Sequence, residues 1–116
     1  MFKELEIRGK NVAFLANGAT PLFYKHFFHK DLLKMMSEGE GFEVATENIP
    51  ELAFIMAKQA DKADMAKLTQ AMYIEWLSSF DPLDLVVNGT EIVGVYIGDS
   101  LPQEDSKKKE DEKASE

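Results

Sequence analysis

Residues 49–60 read Ile-Pro-Glu-Leu-Ala-Phe-Ile-Met-Ala-Lys-Gln-Ala, with Ile49, Leu52, Ala53, Met56, Ala57 and Ala60 at the i, i+3, i+4, i+7 spacing of one helical face. That spacing predicts a helix starting at Asn48-Ile49-Pro50 and covering 49–63, its small alanines permitting close approach of a neighbour. Such a face needs a core to bury against, and here the core has to hold the chain alone. None of the 116 residues is cysteine, which excludes disulfides, thiolate zinc sites, Fe–S clusters and thiol nucleophiles. A chain of this length buries roughly two-thirds of its unfolded surface, enough for a core without staples. The absence of cysteine also fits a reducing compartment, so the cytosol is the expected location.

The formal charge is −8, from 13 basic and 21 acidic side chains, and it is unevenly spread. Residues 1–34 carry six basic groups against three acidic ones, a net of +3. Residues 35–102 hold twelve acidic groups against Lys58, Lys62 and Lys67, a net of −9. The negative balance argues against a phosphate-backbone binder, which needs clustered Lys and Arg, so no nucleic-acid partner is expected. No apolar run approaches the ~18 residues that span a bilayer, and Met1-Phe-Lys-Glu-Leu-Glu lacks the apolar core of a signal peptide. No membrane partner is expected either, and Asn88-Gly89-Thr90 reads as a chance sequon. The last fourteen residues, 103–116, hold six acids, four lysines and one alanine as their only hydrophobic. They cannot offset the entropy of ordering and are expected to form a disordered tail after one globular domain, 1–102.

Leu5 and Ile7 alternate with charged residues, Arg8-Gly9-Lys10-Asn11 reads as a turn, and Val12, Phe14 and Ala16 alternate on the return. This predicts a β-hairpin over 3–16, which needs helices to cover its apolar face. Thr20-Pro21 reads as a helix start, with the Thr oxygen as cap, and the helix is expected over 20–28. Asp31 caps a second helix, 31–38, closed by the Gly39 and Gly41 loop. A fourth helix is expected over 68–79, with Met72, Tyr73, Trp76 and Phe80 inward and Glu75 outward. The last segment is open on local rules alone. Val86-Val87-Asn88-Gly89 followed by Ile92, Val93, Val95 and Ile97 suits a hairpin on an Asn-Gly turn. Against that, Asp81-Pro82 suits a helix start, and Leu85, Ile92 and Tyr96 share a helical stripe.

Four segments in order then carry a resemblance. They are Thr20-Pro21-Leu22-Phe23-Tyr24, Phe28-His29-Lys30-Asp31-Leu32, the run from Leu52 to Asp61, and Glu75-Trp76-Leu77-Ser78-Ser79-Phe80-Asp81. With the N-terminal hairpin, the chain resembles the tail assembly chaperones of long-tailed phages and prophages of Gram-positive bacteria. Two departures stand out. His29 occupies the place of the family's usual Gly in the Phe-Gly-basic-Asp turn, and Asn88, Gly89 and Gly94 interrupt what is typically a Leu-rich final helix. The resemblance favours a helix over 82–97, hence a mainly α (α+β) fold in which the hairpin packs on four to five short helices. It implies a non-enzymatic factor, working in the host bacterial cytoplasm and absent from the mature virion. Its partners would be the tape measure protein, which it keeps soluble, and the tail tube protein, recruited by a longer frameshifted product. Lys107-Lys108-Lys109 bears on that frameshift, because Lys codons are A-rich and an A run is a typical slippery site. As protein sequence the same run reads as a solvated charge cluster.

Leu22, Phe23, Tyr24, Phe27 and Phe28 are too many for one ~100° buried stripe. Either hairpin and helices bury this helix from two sides, or Phe23 and Phe27 line a groove for a tape measure helix or for self-association. His26 and His29 are spaced to face one metal with Asp31 or Glu38, but without a third-ligand motif they read as helix-end histidines, and no metal or cofactor is expected. There is no Gly-x-Ser-x-Gly elbow and no phosphate loop, Gly39-Glu40-Gly41 being a short linker. The acidic pairs Glu38/Glu40 and Asp61/Asp64 read as solvated faces, so catalysis is not expected. Two other classes stay open: an acidic adaptor for a basic partner, and a nucleic-acid-binding regulator using the basic N-terminal region.

Overall fold

The computed structural model describes residues 1–38 and 48–100. The Gly39/Gly41 loop and the 103–116 tail lie outside the described residues. Strands β1 (Phe2–Ile7) and β2 (Lys10–Leu15) form an antiparallel hairpin with Leu5 opposite Val12 and Ile7 opposite Lys10. The turn is tighter than the expected Arg8–Asn11. Arg8 (φ 50) and Gly9 (φ 78) are both in the left-handed region, as a two-residue type I′ turn requires, and Lys10 and Asn11 already belong to β2. At the open end Ala16 N donates to Met1 O at 2.8 Å, and the Met1 amino group donates to Ala16 O. Leu5, Ile7, Phe14 and Ala16 are buried against the helices, as the alternation requires.

Helix α1 spans Thr20–Phe28, but Thr20 is its first helical residue and not its cap. Ala19 holds the cap position without a side-chain bond. The Thr20 hydroxyl is buried instead, accepting from Asn17 N at 3.0 Å and donating to Gln59 Oε1 at 2.8 Å. That bond ties the start of α1 to the central helix and satisfies the buried Thr20 hydroxyl. The residue after α1, His29, has φ 61 and ψ 37. Asp31 Oδ1 then accepts from Lys34 N at 3.0 Å, the cap expected for α2 (Leu32–Glu38).

Helix α3 (Ile49–Ala60) is the centre of the molecule. Its predicted stripe is buried apart from the half-buried Ala60, and Phe54 and Ile55 on other sides are fully buried too. β2, α1 and the C-terminal helices pack around it, so it has no single inner face. Each large apolar side chain removed from water stabilises by roughly 1.5–3 kcal/mol, so α3, with more buried residues than any other element, contributes most to the core. It stops at Ala60, short of the expected 63, and Lys62 turns the chain away at φ 59.

A 3-10 turn (Met65–Lys67) follows, then α4 (Gln70–Leu77), capped by Thr69 Oγ1 accepting from Met72 N at 3.2 Å. The expected 68–79 helix is thus shorter at both ends. The ambiguous segment is helical, as two helices broken at Asn88, α5 (Asp84–Val87) and α6 (Gly89–Ser100), rather than the single one expected over 82–97, and the hairpin on Asn88-Gly89 does not form. Asn88 closes α5 by donating from Nδ2 to Asp84 O at 2.8 Å. Leu85, Ile92, Val95 and Tyr96 are buried, and that shared burial outweighs the local Asn-Gly signal. The architecture is an N-terminal hairpin packed on short helices.

Candidate partner-binding cleft

Helix α4 reads Gln-Ala-Met-Tyr-Ile-Glu-Trp-Leu, apolar around nearly its whole circumference. A helix of that kind is ordinarily buried on all sides, yet none of its residues is fully buried. One side joins the core through aromatic contacts. The Tyr73 ring lies 5.0 Å from Phe54 and 5.1 Å from Phe28, and Trp76 lies 5.6 Å from Phe54 and 4.9 Å from Phe80. The other side opens on a cleft of about 440 Å³, where Ile74 is 55% exposed beside Leu77. Pro50 at the start of α3 and Leu85 of α5 also line it. The turn after α4 contributes Phe80, Pro82 and the carboxylate of Asp81. Beyond that turn, Leu83 and Val87 are 66% and 76% exposed, beside a second hollow lined by Arg8 and Asp84.

The tip of the hairpin holds this turn in place. Arg8 Nη2 lies 2.9 Å from Asp81 Oδ2, and Arg8 Nε donates to Asp84 Oδ1 at 2.9 Å. Asp84 Oδ2 accepts in turn from Asp81 N at 2.9 Å. That backbone bond, followed by the Arg8 guanidinium, holds the Asp84 carboxyl below its ordinary range, while Asp84 and then Asp81 raise Arg8 above its own. Lys10 sits 4.8 Å over the Phe80 ring and donates to Ser79 O at 3.5 Å.

Behind the cleft, Tyr24 Oη donates to Glu51 Oε1 at 2.6 Å, and Lys30 Nζ donates to both Glu51 oxygens at 3.1 Å and to Asn48 Oδ1 at 3.0 Å. Burial, with Glu51 adding to it, raises the Tyr24 phenol above its ordinary range and pushes Tyr73 up to about 12. Both phenols therefore stay protonated at neutral pH. This network clips α1 to α3, and each polar group in it has a partner.

Phe23 and Phe27, the residues the sequence offers for a groove, are half-buried and packed on the core. Phe27 lies 4.7 Å from Phe28 and 5.7 Å from Phe54, inside the aromatic cluster. The exposed apolar residue of α1 is Leu22, at 66%. His26 and His29 are exposed, and among the described residues no three His, Cys, Asp or Glu side chains gather as metal ligands. Lys107, Lys108 and Lys109 lie outside the described residues. Sequence reasoning missed Ile74, Leu83 and Val87. The signal for Ile74 was available, since it lies off the Met72, Tyr73 and Trp76 stripe on a helix with few polar positions. No family model, curated protein or solved structure matches this chain. Among the described residues no helix is long and apolar enough to cross a membrane.

Proposed function

We propose that this chain is a tail assembly chaperone of a long-tailed phage or prophage. It binds the tape measure protein in the host cytoplasm, keeps it soluble, and helps recruit tail tube subunits through a longer frameshifted product, without entering the finished virion. The observation that carries this reading is α4, apolar over most of its circumference, left half-covered, and fronting an open cleft. A tape measure protein is a long helical chain that exposes apolar stripes before the tube encloses it, and a groove for an amphipathic helix is the complement of such a stripe. Binding the aggregation-prone chain shifts its equilibrium towards the soluble form by mass action. The family motifs that suggest this function, Thr20-Pro21 and Phe28-His29-Lys30-Asp31, bracket α1 and form the turn into α2.

The test is co-expression with the adjacent tape measure gene. The tape measure protein is expected to move from the pellet to the soluble fraction and to co-purify with the chain. If it stays insoluble and nothing co-purifies, the assignment falls.

A further inference from the structure

The cleft beside α4 has a chemistry that narrows its occupant. Its lining is mostly apolar; of its polar side chains, Ser78 and Asp81 are exposed and Tyr73 is half-buried. A small polar ligand would find no fully buried donor or acceptor to orient it. An extended segment would need an open strand edge, and the cleft is walled by α4, a turn and the ends of α3 and α5. What fits is a row of apolar side chains presented by a helix. Charge decides which helix. The elements that wall the cleft from α4 to the end of α5, residues 70–87, carry Glu75, Asp81 and Asp84 and no Lys or Arg. Two cations reach the turn from the hairpin and both are engaged: Arg8 with Asp81 and Asp84, Lys10 with Ser79 O and the Phe80 ring. The three carboxylates outnumber these two cations. A two-fold dimer through this face would set Glu75 and Asp81 of one copy near those of the other, so a second copy of the chain is a poor occupant.

We infer that the cleft takes an amphipathic helix of the tape measure protein whose apolar stripe is flanked by Lys and Arg, seated on Ile74 and Leu77. This rests on the chaperone reading for the identity of the partner, but the chemistry of the cleft is testable without it. The probes are two synthetic helical peptides of about 20 residues, long enough to hold helical structure. They share a leucine stripe at i, i+3, i+4, i+7, flanked by lysines in one and glutamates in the other. Binding to the full chain is followed by fluorescence anisotropy at low salt. The lysine peptide is expected to bind at least about tenfold more tightly, and added salt to narrow the gap. Ile74→Asp should weaken it by about tenfold or more, while Leu22→Asp on α1 leaves it unchanged, both variants keeping the wild-type melting temperature. Should Ile74→Asp lower that temperature, Ile74→Gln replaces it.

Equal affinity for the two peptides, or full binding by a folded Ile74 variant, overturns the inference. So does sedimentation showing that the chain dimerises through Ile74. If a folded Ile74 variant still solubilises the tape measure protein in co-expression, the chaperone reading stands and the cleft assignment fails. If the lysine peptide binds in the cleft but the wild-type chain never solubilises the tape measure protein, the reverse holds.

Discussion

His29 ends α1 in the left-handed region, where an L side chain crowds its own backbone at roughly 1–2 kcal/mol. The helix needs that conformation to stop. His29 N donates to Lys25 O at 2.8 Å, and the chain then turns so that Asp31 can cap α2. The strain follows from the turn and not from the imidazole, which is exposed. Glycine would remove the crowding but adds freedom to the unfolded chain. His29→Gly is therefore expected to stabilise the protein by about 0.5–1 kcal/mol, read as a higher urea midpoint at unchanged slope. An unchanged or lower midpoint would mean that the histidine makes a contribution beyond its backbone. Arg8 is also left-handed, but its guanidinium bridges Asp81 and Asp84, so the strained residue there has a side-chain function that glycine could not supply.

Elements differ in how much of their reason for existing is local. The hairpin was legible because alternation at Leu5, Ile7, Phe14 and Ala16 and the Gly9 turn point the same way. The second helix was legible through its cap at Asp31. Helix α3 was visible as a helix, but the burial of Phe54 and Ile55 was not, since a period identifies one face and cannot report that other elements surround the rest. At Asn88-Gly89 the local signal was misleading. Gly89 sits there for close packing rather than for a turn, because a Cβ on it would lie 2.6 Å from Ile49 Cδ1. That distance makes a prediction at the level of helix packing. Gly89→Ala alone should gain less than the ~1 kcal/mol of helix propensity, because the end of the Ile49 side chain must rotate aside. In an Ile49→Val background, which removes Cδ1, the same change should stabilise by more. The coupling, measured by denaturation of all four proteins, is expected at up to about 1 kcal/mol. Additivity would show that Ile49 moves aside freely and that α6 does not depend on this approach.

The candidate site was the least legible part, and the whole molecule shows why. Its lining comes from the start of α3, one side of α4, the turn to α5 and α5 itself, and it is pinned by Arg8 and Lys10 from the far end of the sequence. No local window contains it. Charge segregation was visible in the sequence, but its meaning was not. The basic start folds back so that the hairpin tip meets the acidic turn after α4. The result is a stable half, with α3 inside it, and a thinly covered margin in α4, whose eight residues include none that is fully buried. Local opening follows the number of buried contacts, so the amides of α4 should exchange with deuterium well before those of α3. Binding adds the missing cover. With the lysine-flanked peptide present, protection should rise in α4 and across 80–85 and stay unchanged in α1, where Leu22 lies outside the cleft lining. A rise centred on Leu22–Phe28 instead would place the partner on the aromatic helix, with Phe23 and Phe27 as its edge, and α4 would then be an exposed helix without a partner.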